Sequence, residues 1–132
     1  MIKRKILLPV VFSIVFSNIS FSQEDVLAEI VDMKFAEKVV NRVPVNVSTK
    51  FPSSIKRVYC WTKVRAFKVP TYIVHQWYYK GKLMASVKLD IRSPLFRTWS
   101  SKRIIPAWKG KWRVIVKDAN GSIVASKEFL IK

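Results

Sequence analysis

From Leu83 to Ile91 the chain alternates with a period of two. Leu83, Ala85, Val87, Leu89 and Ile91 fall on one side, and Lys82, Met84, Ser86, Lys88 and Asp90 on the other. Only an extended backbone sends successive side chains to opposite faces, so this stretch is a strand with one face buried. The same rule separates Trp112, Val114 and Val116 from Lys111, Arg113, Ile115 and Lys117. Asp118-Ala119-Asn120-Gly121 then supplies a hairpin turn, with Gly121 free to take positive φ. The returning strand runs from Ser122 to Ile131, with Phe129 and Ile131 pointing inward. Ile55 to Val64 and Thr71 to Tyr79 are rich in β-branched and aromatic residues, and Pro70 and Gly81 bound the second of them. Pro44, between Val43 and Val45, confines that segment to an edge strand or an extended arm. Val26 to Val40 fits two patterns. Val26, Leu27, Ile30, Val31 and Phe35 suit a helix, whereas Val31, Met33 and Phe35 alternating with Asp32 and Lys34 suit a strand. Since no helical pattern follows residue 42, the expected fold is all-β: an immunoglobulin-like antiparallel β-sandwich of about seven to eight strands.

The N-terminal segment reads as an address. Lys3, Arg4 and Lys5 precede an apolar run from Ile6 to Phe16, and Ser20-Phe21-Ser22 places small residues where a signal peptidase reads. Residues 1–22 are therefore expected to be a signal peptide cleaved between Ser22 and Gln23. A short arm over residues 23–27 and one domain over residues 28–132 would follow. The product would be exported, periplasmic or secreted. An uncleaved anchor is the alternative, because Ile6 to Ser22 is uncharged and near the lower length of a spanning helix. The only cysteine, Cys60, cannot form an intramolecular disulfide in an oxidising compartment, so no obligatory disulfide partner is expected and a buried thiol is the simplest role. One His and one Cys leave no set for a zinc module, and no metal or other cofactor is expected.

Charge is the second strong constraint. The 132 residues hold 25 Lys and Arg against 8 Asp and Glu, a net +17. Loss of residues 1–22 removes three bases and no acid, leaving +14. Residues 23–42 carry −2, so residues 43–132 carry +16, with only Asp90, Asp118 and Glu128 as acids. Such an excess either serves solubility or faces an anionic partner. Outside the cytoplasm that partner would be an anionic polysaccharide, a lipid head group or an acidic protein. A membrane surface offers the same charge, and nucleic acid suits the compartment poorly.

Three short segments hold residues able to form a site. His75, Trp77 and Tyr79 would share one strand face. Arg97, Trp99 and Ser101 would share another, with Thr98, Ser100 and Lys102 opposite. Gly110-Lys111-Trp112 is the third. In a binding reading, His75, Arg97 and Lys102 engage charge, Trp99 or Trp61 stacks on an apolar ring face, and Trp77 and Ser101 complete the site. In a structural reading, Trp77 and Trp112 fill the core while His75 and Arg97 satisfy buried polar groups. Arg57, Tyr59, Trp61, Lys63 and Arg65 form a further candidate surface on one face of one strand, provided that Val58, Cys60, Thr62 and Val64 face the core. A hydrolase could be assembled from His75, Asp90 and Ser100 or Ser101. However, no G-x-S-x-G elbow is present and carboxylates are few, so no catalytic residue is expected.

His75-x-Trp77-x-Tyr79-x-Gly81, then Arg97-Thr98-x-Ser100-Ser101-Lys102, then Gly110-x-Trp112-x-Val114, and finally Asp118-x-x-Gly121 and Phe129 together resemble the domain of unknown function 2914 family. The likeness spans roughly residues 28–132. It departs from the family pattern before the His-containing strand, where Phe67-Lys68-Val69-Pro70 stands, and at Phe96. The resemblance implies a small bacterial β-domain of exported or membrane-attached proteins, favours a strand over Ile30 to Phe35, and implies no activity. The expectation is a non-catalytic binding module for an anionic envelope ligand, engaged through His75, Trp77, Arg97, Trp99, Ser101, Lys102, Arg57 and Trp61. The alternative is a structural or assembly protein that pairs through a strand edge.

Overall fold

A computed structural model describes residues 26–132; the expected signal peptide and residues 23–25 of the expected arm lie outside the described residues. Nine strands form among the described residues: β1 (Ala28–Val40), β2 (Val43–Val47), β3 (Lys50–Phe51), β4 (Arg57–Ala66), β5 (Thr71–Tyr79), β6 (Lys82–Ile91), β7 (Leu95–Arg103), β8 (Gly110–Asp118) and β9 (Ile123–Ile131). They build two sheets, ordered β2-β1-β4-β7 and β3-β9-β8-β5-β6. The chain is an all-β sandwich. Two details differ from expectation. There are nine strands because the two-residue β3 adds an edge, and that strand runs parallel to β9 through Lys50↔Leu130 and Phe51↔Ile131.

The ambiguous segment is the long strand β1. Its helix-like apolar spacing is overridden by pairing, since Met33 and Phe35 face inward opposite Thr62 and Cys60 of β4. A bulge between Ile30 and Asp32 resets the alternation, which explains why neither period fits the whole segment. Pro44 sits in β2, an edge strand, where its missing N–H costs no ladder bond. The cleanest alternation, in β6, also belongs to an edge. Its inward set runs from buried Ile91 through Leu89 to Ala85, but a bulge at Trp77/Tyr78 then reverses the faces, so that Leu83, expected inside, is exposed opposite Tyr78 and Met84, expected outside, packs against the core.

Side chains from both sheets meet in one core. Phe35 of β1 packs on Phe129 of β9 with centroids 4.6 Å apart, and Phe129 is stacked in turn against Trp112 of β8 at 5.9 Å. Trp77 and Trp112 are wholly buried. Asp118 organises the β8–β9 turn: one carboxylate oxygen accepts the N–H groups of Asn120 and Ser122 at 3.0 Å, and the other accepts the Leu27 N–H at 2.9 Å. The turn residue named from sequence thus also ties the chain entering β1 to the far sheet. Beside β1, β2 pairs only with Ala36–Val40. The carbonyl of Met33, on the side left open, is capped at 2.8 Å by the Lys127 ammonium reaching across from β9. An inward-pointing lysine of this kind blocks edge-to-edge association.

Candidate functional site

The alternation of β5 sends Ile73, His75 and Trp77 inward, and β7 sends Thr98 and Ser100 inward to meet them. The contacts leave one consistent set of proton positions. The Thr62 hydroxyl donates to the Thr98 carbonyl at 3.0 Å, so its oxygen must accept from His75 Nε2–H at 3.2 Å. His75 Nδ1 then accepts from the Ser100 hydroxyl at 2.6 Å, and Ser100 Oγ accepts from Trp77 Nε1–H at 3.0 Å. Each donor finds an acceptor, and the imidazole is the neutral Nε2–H tautomer. The ring is wholly buried, and burial pulls its pKa down from 6.5 to about 3.

This cluster corrects part of the sequence reading. His75 and Trp77 do not face a ligand; they join the two sheets through Thr62, Thr98 and Ser100. A neutral, buried imidazole cannot engage an anion. Nor does the close Ser100–His75 pair form a hydrolase. Both ring nitrogens are occupied by hydroxyls, no carboxylate orients the ring, and both residues are buried, His75 completely. Ser101 lies on the other face, where its hydroxyl accepts from Arg57 at 2.9 Å, and Asp90 is exposed on β6 opposite Tyr72. The equally buried Cys60 thiol has its pKa pushed up by burial, which makes it inert.

The outer face of the four-stranded sheet is where charge collects. Arg57, Tyr59, Trp61, Lys63 and Arg65 of β4 stand directly opposite Arg103, Ser101, Trp99, Arg97 and Leu95 of β7. Val58, Cys60 and Thr62 are buried, as the exposed-surface register requires. Trp61 departs from that reading. It is 6% exposed, its Nε1–H donates to the Arg42 carbonyl at 3.0 Å, and the Lys34 ammonium sits 5.9 Å from its ring. Trp61 is therefore a footing for the β1–β2 turn rather than a stacking face.

That turn helps to build a cleft. Asn41 and Arg42 take φ of 51° and 67°, the left-handed pair favoured by a two-residue hairpin. The turn carries the Arg42 guanidinium to 5.7 Å from the Phe96 ring. Beside it, at the seam between β6 and β7, lies a cleft of about 380 Å³ lined by Arg42, Lys88, Asp90, Arg92, Arg97 and Trp99 among others. No ion pair involves any of its four cations among the described residues. Arg42, Lys88 and Arg92 were not singled out from sequence, because they come from a turn and a neighbouring sheet that only the fold brings beside Arg97 and Trp99.

At the other end of β7 lies a second cleft, of about 560 Å³, lined by Ser53, Ser54, Lys56, Arg57, Arg103 and Ile104 among others, with no acid. Lys102 adjoins it, 5.0 Å above the Trp108 ring. Its pKa is lowered by burial and then by the neighbouring Arg57 and Arg103. A third cleft, of about 450 Å³, contains Lys80, Lys111 and Arg113, of which Glu128 pairs with Lys111 and Arg113. The eight expected residues thus separate. His75 and Trp77 are core and Trp61 is covered. Arg97 and Trp99 line the seam cleft, and Arg57, Ser101 and Lys102 lie toward the far end of β7. Among the described residues, no group of three or more His, Cys, Asp or Glu is placed to hold a metal ion.

Residues 70–131 match the family model described as "Protein of unknown function (DUF2914)". No curated protein matches the sequence. Similar solved structures include a β-glucosidase from Kluyveromyces marxianus, at 13% identity over 80% of this chain and 14% of that one, with a TM-score of 0.45. A mutant β-glucosidase from Listeria innocua in complex with laminaribiose shares 8% identity over 80% of this chain and 16% of its own, at a TM-score of 0.42. The Bifidobacterium adolescentis GH3 β-glucosidase shares 8% over 79% and 17%, at 0.43. The chain spans less than a fifth of these enzymes, and nothing about activity follows from the likeness.

Proposed function

We propose that this chain, which carries the DUF2914 domain over residues 70–131, is an exported, non-catalytic binding module for an anionic ligand of the cell envelope. The observation that carries the reading is the seam cleft. Four cations line it together with one indole and one carboxylate, and among the described residues no ion pair involves any of the four. Holding like charges together is unfavourable, and a bound anion would relieve it. Arg97, Arg92 and Arg42 offer forked donors to a carboxylate, sulfate or phosphate, and half-buried Trp99 offers an apolar face to a sugar ring. The basic excess and the signal-like N-terminal segment support an envelope setting.

Titration of a disaccharide uronate, with its neutral counterpart as control, tests this reading. Binding is expected at low salt for the charged sugar alone, and should weaken toward physiological salt as screening tightens to about 8 Å. Among the described residues the Arg97 guanidinium has no ion pair, so Arg97→Ala should melt like the parent while losing about tenfold in affinity, the equivalent of one charge-assisted hydrogen bond. Unchanged affinity in the variant, or equal binding of the neutral sugar, contradicts the reading. An Arg97→Ala chain that fails to fold would instead favour the purely structural role.

A further inference from the structure

The end cleft has a feature that packing does not explain. Arg57 and Arg103 are direct cross-strand partners on β4 and β7. Like charges directly opposite one another destabilise a sheet, and here Lys56 lines the same cleft and Lys102 adjoins it. Arg57 donates to Ser101, but no carboxylate pairs with any of these cations among the described residues. The only lining groups of opposite polarity are hydroxyls and backbone. This is a second concentration of uncompensated positive charge, built from other strands and loops than the first.

The two clefts are linked by β7, which is an edge strand. Arg97 borders the first and Arg103 the second, six residues apart, a span of about 20 Å at strand rise. Between them on the same outward row stand Trp99 and Ser101, opposite Trp61 and Tyr59 of β4, and Lys63 stands opposite Arg97 itself. Charge, indole, hydroxyl and charge thus follow one another along a straight line.

From this line we infer that the ligand is a linear acidic polysaccharide lying along β7, with one anionic group in each cleft and an intervening sugar ring over Trp99. The inference rests on the binding reading above and extends it from one anion to a polymer. A sugar chain fits the row better than single-stranded nucleic acid, which binds through a succession of exposed aromatic faces. Here Trp61, the indole that would extend the stack, is covered by the Arg42 turn.

The test uses oligogalacturonate as a disaccharide and as a chain longer than about 20 Å. Single-stranded DNA and polyglutamate of matched charge run in parallel. Engagement of both clefts converts the second contact into an intramolecular one, so the long glycan should bind about a hundredfold more tightly than the disaccharide, with a steeper salt dependence. Arg57→Ala with Arg103→Ala should bring the long chain close to disaccharide affinity. Arg57 and Arg103 are exposed, and a thermal melt verifies that the double variant is folded. Equal affinity for both lengths, a length advantage that survives the double substitution, or tighter binding of DNA or polyglutamate overturns the polymer inference while leaving the single-anion reading in place. Failure of both glycans to bind at low salt overturns the two together.

Discussion

Acidification below pH 6.5 is expected to remove stability from this domain at up to about 1.4 kcal/mol per pH unit, through His75 alone. Folded His75 has its pKa lowered to about 3 by burial, against 6.5 for the unconstrained side chain. Above 6.5 neither state holds the proton, and the neutral network is fully available. Between 6.5 and about 3 the unfolded chain binds a proton that the native chain refuses, so stability falls as pH falls. Below about 3 both states hold it, and the loss levels off. Urea midpoints measured at about pH 7.5, 6 and 5 should decline steadily, ahead of most carboxylate titration. In His75→Gln, which cannot titrate, the decline over that range should vanish. A parent protein equally stable at pH 7.5 and 5 would show that the imidazole takes up a proton inside the fold.

Trp77→Ala is expected to cost about 3–5 kcal/mol, the range for emptying a large aromatic site in a core. Trp77 is wholly buried, meets Phe129 edge to face at 6.1 Å, and donates the N–H that completes Ser100. Since domains of this size hold only about 5–15 kcal/mol in all, the loss takes a large share of the total and should appear as a marked drop in the urea midpoint. Trp77→Phe keeps much of the packing and loses the hydrogen bond, so a smaller cost of about 1–2 kcal/mol is expected. Trp99→Ala is the informative contrast. Its indole is half-buried on the outer face, so the change in the urea midpoint should be small while uronate binding suffers. Similar stability losses in Trp77→Ala and Trp99→Ala would contradict the division between core and site.

Much of the architecture was legible because extended chains write their faces into the sequence. The Trp112-Val114-Val116 alternation, the Asp118–Gly121 turn and the edge position of Pro44 all lie in the structure where the residues imply. β1 was illegible because a bulge inserts one residue into its period, and β3 because two residues carry no period at all. The site was legible only in part. Period-two reasoning grouped His75 with Trp77 and Arg97 with Trp99 correctly, but it cannot tell which side of a sheet is the interior. That choice depends on the second sheet: Ser100 and Thr62 meet His75 from strands 13 to 25 residues away. Arg42, Lys88 and Arg92 were invisible for the same reason, since nothing local marks a turn that folds back over a sheet.

The central claim is that the polar residues inside the sandwich hold it together, while unpaired cations at the β6–β7 seam bind anions. The five Trp residues allow one direct test, because each indole N–H gives its own resonance in a nitrogen–proton correlation spectrum. On titration with the disaccharide uronate, the Trp99 indole signal and the backbone signals of Arg97 and Arg92 should move, while those of Trp77, Trp112 and His75 stay fixed. Movement led by Trp77 and His75, with Trp99 unaffected, would contradict it.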